Sequence, residues 1–260
     1  MKFSVLTLFP EMINDAFSHS ITGRALKEGK LQLNTVNIRD FTKDKHNKVD
    51  DYPYGGGAGM LMQAQPVYDA FKSLNVKEGT PVLFMTPVGE TFTQKHALRF
   101  AQSDEIVILC GHYEGIDERV IEEIVTDRIS IGDFVLTGGE MASLVVMDTI
   151  SRLVPGVLGN DVSAELESFS DELLEFAQYS RPEEWNGRKV PEILLSGDHK
   201  KIEEYRLENS IDRTKKIRPD LYEKWAASHP EYFAMKEKKR KKEEEKARKK
   251  AKKLANQNDM

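Results

Sequence analysis

The sequence is short of the residue on which disulfides and thiolate metal sites depend: Cys110 is the only cysteine among 260 residues. An intramolecular bridge and a Cys-rich zinc site are therefore excluded, and a reducing cytoplasm is the simplest setting. The opening stretch is not expected to form a signal peptide or a membrane span either. "MKFSVLTLFPEM" holds one lysine and a short apolar run, and Pro10 and Glu11 end that run too early for a signal peptide or a span. It reads as a first strand. Two phosphate-binding templates are absent as well. Gly132 and Gly138 are six apart and no lysine follows the Gly138-Gly139 pair, so neither G-x-x-x-x-G-K-[ST] nor G-x-G-x-x-G is satisfied. This disfavours a nucleotide-binding oxidoreductase.

Charge is unevenly spread. Residues 236–253, "KEKKRKKEEEKARKKAKK", hold 12 Lys or Arg against 4 Glu, a net of +8 that leaves −13 for the other 242 residues of a chain whose formal net charge is −5. A generic nucleic-acid binder has a basic body, so an RNA partner must be met here by local patches, with this tail as a further candidate. Taken alone, the tail reads first as a solvated, salt-bridged helix without a partner.

Through the first 155 residues short apolar runs alternate with helical patterns. Strands are expected at 3–9, 31–38, 81–86, 105–110 and from Ile129 to Leu136, and helices at 64–74, 93–102 (started by Thr93), 116–124 and 139–154. Near-continuous apolar strands separated by helices predict an α/β domain, a parallel sheet with helices on both faces. From "PGVLGNDVSAELESFSDE" onward the residues are polar, acidic and serine-rich, as in an exposed linker. Beyond Tyr179 and Pro182 helices are expected at 198–217 and 218–233. The domain boundaries that follow are 1–159 for the α/β domain, 160–178 for a flexible linker, 179–235 for a small helical domain and 236–260 for the basic tail.

Ligands of open α/β sheets bind beyond the carboxyl ends of the parallel strands. Three expected strand exits carry glycine or proline: "TPVG" at 86–89, "CGHYEG" at 110–115 and "SIGDFVLTGGE" at 130–140. One glycine pair alone is an ordinary tight turn, but three such exits converging predict a pocket. These loops offer backbone N–H and C=O groups and contain no Lys or Arg. A phosphate-rich ligand is disfavoured, and a neutral or cationic one with an adenine-like ring fits better.

With "LFPEM", "VDDYPYGGGAGMLM", "RLVPGVLG", "QYSRP" and "LLSGDH", these loops form an ordered set over roughly the first 220 positions. The set resembles the bacterial tRNA (guanine-N1)-methyltransferases of the TrmD type, in the SPOUT class. The resemblance implies a deep trefoil knot at the cofactor site, a homodimer with its active site shared between subunits, and a cytoplasmic enzyme. It also implies transfer of a methyl group from S-adenosylmethionine to N1 of the guanosine immediately 3′ of the tRNA anticodon. Carried over by position, the donor site comprises Thr86, Pro87, Gly89, Gly111, Tyr113, Glu114, Gly115, Ser130, Ile131, Gly132, Asp133, Phe134, Val135, Leu136, Gly138 and Gly139. Pro87, Ile131 and Leu136 are expected against the adenine.

Guanine N1 carries a proton, so the chemistry needs a base for that proton and a cation for the charge that builds on O6. The resemblance assigns the cation to Arg152. Blind, that residue reads as an arginine at a helix C-terminus facing the dipole. The base falls to Glu167, where the family usually writes Asp, with Asp171 as a second candidate. No metal-ligand cluster is read from the sequence, although the resemblance adds magnesium as a possible helper at O6. Asp50, Gly57, Arg181, Lys200 and Arg206 are the expected tRNA contacts, and Arg152 would join those last three in a locally basic cleft. His112 stands where an arginine is common and Gln178 where histidine is. Two alternatives stay open, a knotted methyltransferase with another RNA target such as a ribose 2′-hydroxyl, and a non-catalytic RNA-binding relative.

Overall fold

Val5, Leu6, Leu83, Ile106, Val107, Ile108 and Leu109 have no solvent exposure, as strands of a parallel sheet covered on both faces require. In the computed structural model, which describes residues 1–159, 168–169 and 171–258, the chain divides into two units, Met1–Ala164 and Glu165–Met260. The first runs β1 (Lys2–Thr7), α1 (Pro10–Phe17), α2 (Ser20–Lys27), β2 (Gln32–Asn37), a 3-10 turn (Ile38–Phe41), β3 (Asp50–Asp51), β4 (Leu61–Met62) and α3 (Ala64–Ser73). It continues with β5 (Val82–Thr91), α4 (Gln94–Phe100), β6 (Glu105–Cys110), α5 (Glu118–Ile124), β7 (Asp127–Ser130) and α6 (Glu140–Ser151).

Five strands pair in the order β2-β1-β6-β5-β7, every pair parallel. Side chains alternate across the sheet, as the two-residue period of a strand demands. Phe3, Val5, Leu83, Met85, Ile106 and Ile108 pack with α1, α4 and α6 on one face. Leu6, Val82, Phe84, Val107 and Leu109 pack with α3 and α5 on the other. The expected α/β sheet with helices on both faces is what forms.

Three expectations are corrected. β7 ends at Ser130, not Leu136. Phe134, Val135 and Leu136 are 53, 82 and 40% exposed, so their apolar character serves something other than the core. β5 does not end at Thr86 but resumes after an excursion and runs to Thr91. Finally, Pro10 starts α1 at its first turn, where a missing N–H costs nothing; reading Pro10 only as the end of a strand left α1 and α2 unforeseen.

The second unit holds a hairpin, β8 (Glu184–Trp185) with β9 (Arg188–Lys189), then α7 (Glu192–Leu195), α8 (His199–Ile217), α9 (Pro219–Ser228) and α10 (Pro230–Asn258). The hairpin stands where only helices were expected. Pro230 splits the expected 218–233 helix, since a proline cannot donate within a helix and is at home in the first turn of one. The core here is small: Leu173, Ile211 and Trp225 are buried, with Trp225 stacked on His229 at 4.8 Å and edge-on to Tyr232 at 5.2 Å.

Candidate functional site

The three glycine-bearing loops line one cavity of about 250 Å³. The first leaves the sheet in mid-strand: Ile129 of β7 pairs with both Met85 and Glu90, so residues 86–89 bulge out between them. The loop returns so tightly that a Cβ on Gly89 would lie 2.5 Å from the main chain of Arg128 and Ile129. The second follows β6 and is tied down from outside, Glu114 N donating to Met60 O at 2.9 Å and Met62 N to Gly115 O at 2.9 Å. The third runs from Ser130 into α6. There Gly139 N donates to Gly111 O at 3.0 Å, and a Cβ on Gly139 would sit 2.8 Å from Cys110 Cα. The glycine pair is thus explained by close approach: the first turn of α6 is pressed against the end of β6, where no side chain fits.

Thr86, Pro87, Gly111, Tyr113, Glu114, Gly115, Ser130, Ile131, Gly132, Phe134, Val135, Leu136, Gly138 and Gly139 all line this cavity, whereas Gly89 and Asp133 do not. Among the described lining residues Glu114 is the one carboxylate and no Lys or Arg appears. Main-chain groups, an apolar rim and a single acid suit a flat, uncharged ring joined to a cationic group.

Beneath the loops lies a polar support that the sequence did not reveal. Glu140, in the first turn of α6, is only 2% exposed. It accepts a hydrogen bond from Thr7 Oγ1 at 2.6 Å and stands 2.8 Å from His112 Nε2. One carboxylate therefore joins the end of β1, the second loop and the start of α6. Cys110 is beside it, 2.9 Å from Ser143 Oγ. Burial first, and the Glu140 charge second, push its thiol far above the ordinary range, so it is a packed thiol and not a nucleophile.

Comparison with known proteins bears on what this cavity serves. The family described as tRNA (Guanine-1)-methyltransferase TrmD matches residues 1–224. The chain belongs to this family. A tRNA (guanine-N(1)-)-methyltransferase of Lachnospira eligens is 60% identical over 235 residues, covering 90% of this chain and all of that protein. Proteins of the same name from Ruminiclostridium cellulolyticum and Staphylococcus aureus are 53 and 52% identical, covering 86 and 89% of this chain and 97 and 94% of their own lengths.

Other positions assigned from the TrmD resemblance lie apart from the cavity. Arg152 caps the C-terminus of the 12-residue α6, and at 1.5 Å per residue it is about 20 Å from Gly139 along the helix axis. Asp50 is in β3, paired with Met62 of β4. Because Met62 bridges to Ile116, the hairpin that carries Asp50 and Gly57 is fixed to the second loop. In the C-terminal unit Arg181 and Arg206 line a second cavity, of about 850 Å³, with Phe176 and Tyr179. The Arg206 guanidinium lies 4.8 Å from the Phe176 ring centre. Lys200 is exposed on α8 and outside that lining.

Glu167 lies outside the described residues. The second candidate base, Asp171, is already engaged: Trp225 Nε1 donates to its Oδ2 at 3.3 Å, and His229 Nε2 is 3.6 Å from the same oxygen. No group of three or more His, Cys, Asp or Glu side chains among the described residues is arranged to hold a metal ion, and no step is assigned to magnesium. No described helix is long and apolar enough to cross a membrane.

Proposed function

We propose that the chain transfers the methyl group of S-adenosylmethionine to N1 of the guanosine immediately 3′ of the tRNA anticodon, as a cytoplasmic enzyme. The observation that carries this reading is the joining of three glycine-bearing loops into one cavity free of Lys and Arg, in a chain of this family. When bound, the donor supplies an electrophilic methyl on a cationic sulfur. The loops would hold it by main-chain groups, with Pro87, Ile131 and Leu136 available to the adenine and Glu114 to offset positive charge.

The guanine must lose its N1 proton as the new bond forms. Glu167 takes that proton, and Arg152 donates to O6 as negative charge builds there. The length of α6 bears on which site Arg152 serves. About 20 Å along the helix from the loops of its own protomer, Arg152 completes the site of a second copy, in a homodimer whose two sites are each shared. Phe9 at the start of α1, Met12 of α1, and Met141 and Val145 of α6 support this, being 40, 44, 55 and 49% exposed at two helices that pack side by side. An apolar surface of that kind marks an interface.

The remaining roles follow from these. Residues 1–159 form the methyltransferase domain, with the loops in a deep trefoil knot, 160–178 the linker that carries Glu167, and 179–235 the tRNA-binding domain. Arg181, Arg206 and Lys200 meet phosphates, while Phe176 and Tyr179 offer stacking surfaces. Asp50 and Gly57 approach the target base from the hairpin beside the second loop.

Labelled S-adenosylmethionine and a tRNA transcript with guanosine 3′ of the anticodon test this reading. The expected product is 1-methylguanosine at that position. A 2′-O-methyl nucleoside would mean another target, and donor binding without transfer a non-catalytic relative. Glu167→Gln is expected to slow single-turnover transfer by about 10²–10⁴-fold; an unchanged rate removes Glu167 as the base.

A further inference from the structure

α10 runs unbroken from Pro230 to Asn258, wholly beyond the last residue matched by the family. Three of its glutamates are paired along the helix. Glu237, Glu244 and Glu245 are taken up by Lys241, Arg240 and Lys249 at 2.8, 3.7 and 2.6 Å. Lys238, Lys242 and Lys246 follow one another at intervals of four, within an arc of about 80° on a helix that turns about 100° per residue. All three are exposed, and among the described residues they pair with no carboxylate.

The root of the helix is fixed. Lys236 reaches Glu208 at 3.3 Å and Lys239 reaches Glu204 at 3.5 Å, which ties α10 to α8, the helix that carries Lys200 and Arg206. The arm is thus anchored on the same helix, α8, that carries two of the residues assigned to tRNA.

We propose that α10 is an electrostatic arm whose Lys238, Lys242 and Lys246 face holds the phosphate backbone of the tRNA substrate. The inference rests on the reading that tRNA is the substrate. A polyanion fits because residues 236–253 carry a net +8 on a chain otherwise at −13. A bilayer fits poorly, since the same stretch has no apolar residue larger than alanine to insert. Lysines spaced along one face act as point charges on successive phosphates and release counterions when they bind.

Binding of a tRNA transcript across a range of salt concentrations, with the full chain, tests the arm independently of methyl transfer. Lys242→Gln/Lys246→Gln is expected to weaken binding about five- to tenfold at moderate salt and to flatten the salt dependence by about 1.5 to 2 in log–log slope. Arg240→Gln/Lys241→Gln removes the same charge from positions already paired with Glu244 and Glu237, keeps good helix formers, and is expected to change affinity less than about twofold. Equal effects of the two pairs, no effect of either, or capture of anionic vesicles in preference to tRNA would overturn the arm. A wild-type chain that methylates tRNA while all three forms bind it alike sinks the arm and leaves the proposed reaction standing. A wild-type chain that neither binds nor methylates tRNA sinks the reaction, and the arm with it.

Discussion

The N-terminal unit buries a five-stranded sheet on both faces, whereas the C-terminal unit rests on Leu173, Ile211 and Trp225. Their sites differ in the same way. In the first, the atoms offered to a ligand are main-chain groups fixed by strands and by backbone contacts too close for a Cβ. In the second, the groups proposed to meet tRNA are exposed arginines and lysines on long side chains. A methyl donor must be aimed to within a fraction of an ångström, and a rigid backbone does that. A phosphate chain is satisfied by charge at the right interval, which mobile side chains provide. The contrast predicts that damage to one unit leaves the other unit's ligand in place.

The strongest test removes the aromatic centre of the C-terminal unit. Trp225→Ala is expected to cost that unit about 3–5 kcal/mol and to abolish tRNA binding, while donor affinity by calorimetry stays within about twofold; a donor site lost together with Trp225 would break the comparison. Next, glycines of the two units are expected to respond unequally to alanine. Gly89→Ala drives a Cβ into the main chain of Arg128 and Ile129 and should cost about 2–3 kcal/mol in thermal unfolding. Gly187→Ala, at φ +72° in open space between β8 and β9, should cost about 1 kcal/mol of backbone strain.

Smaller effects sharpen the picture of the support beneath the loops. Glu140→Gln keeps an acceptor for Thr7 and loses the charge beside His112. It is expected to weaken donor binding by roughly 1 kcal/mol, about fivefold, with little change in transfer rate once the donor is saturating. Smallest at neutral pH is the contribution of Cys110. Folding raises its thiol above the ordinary 9.0, so above about pH 9 the unfolded chain releases a proton that the folded one keeps. Stability should then fall as pH rises, by up to about 1.4 kcal/mol per pH unit, and Cys110→Ala should remove that component from the alkaline unfolding curve.

Sequence patterns were legible wherever one physical requirement acted alone. β6 was expected at 105–110 and forms there, because a buried strand needs an apolar run and nothing else. α6 and α8 fall within three residues of their expected bounds. Where two requirements overlap the reading slipped. Phe134, Val135 and Leu136 look like a strand because they are apolar, yet they line a cavity. "TPVG" looks like a strand exit, yet β5 resumes beyond it in pairing with β7. Glu140 could not be recognised as a support, since an acid in a first helical turn is ordinary and its partners His112 and Thr7 are 28 and 133 residues away.

Titration calorimetry of S-adenosylmethionine against the wild-type chain and Gly139→Ala tests most directly whether the glycine-bearing loops hold the donor through their backbone. The account predicts one donor bound per protomer in the wild type and, in a folded Gly139→Ala protein, affinity weakened at least about tenfold, because a Cβ 2.8 Å from Cys110 Cα forces the loop to move. Absence of binding to the wild type, or equal binding by the two proteins, would contradict it.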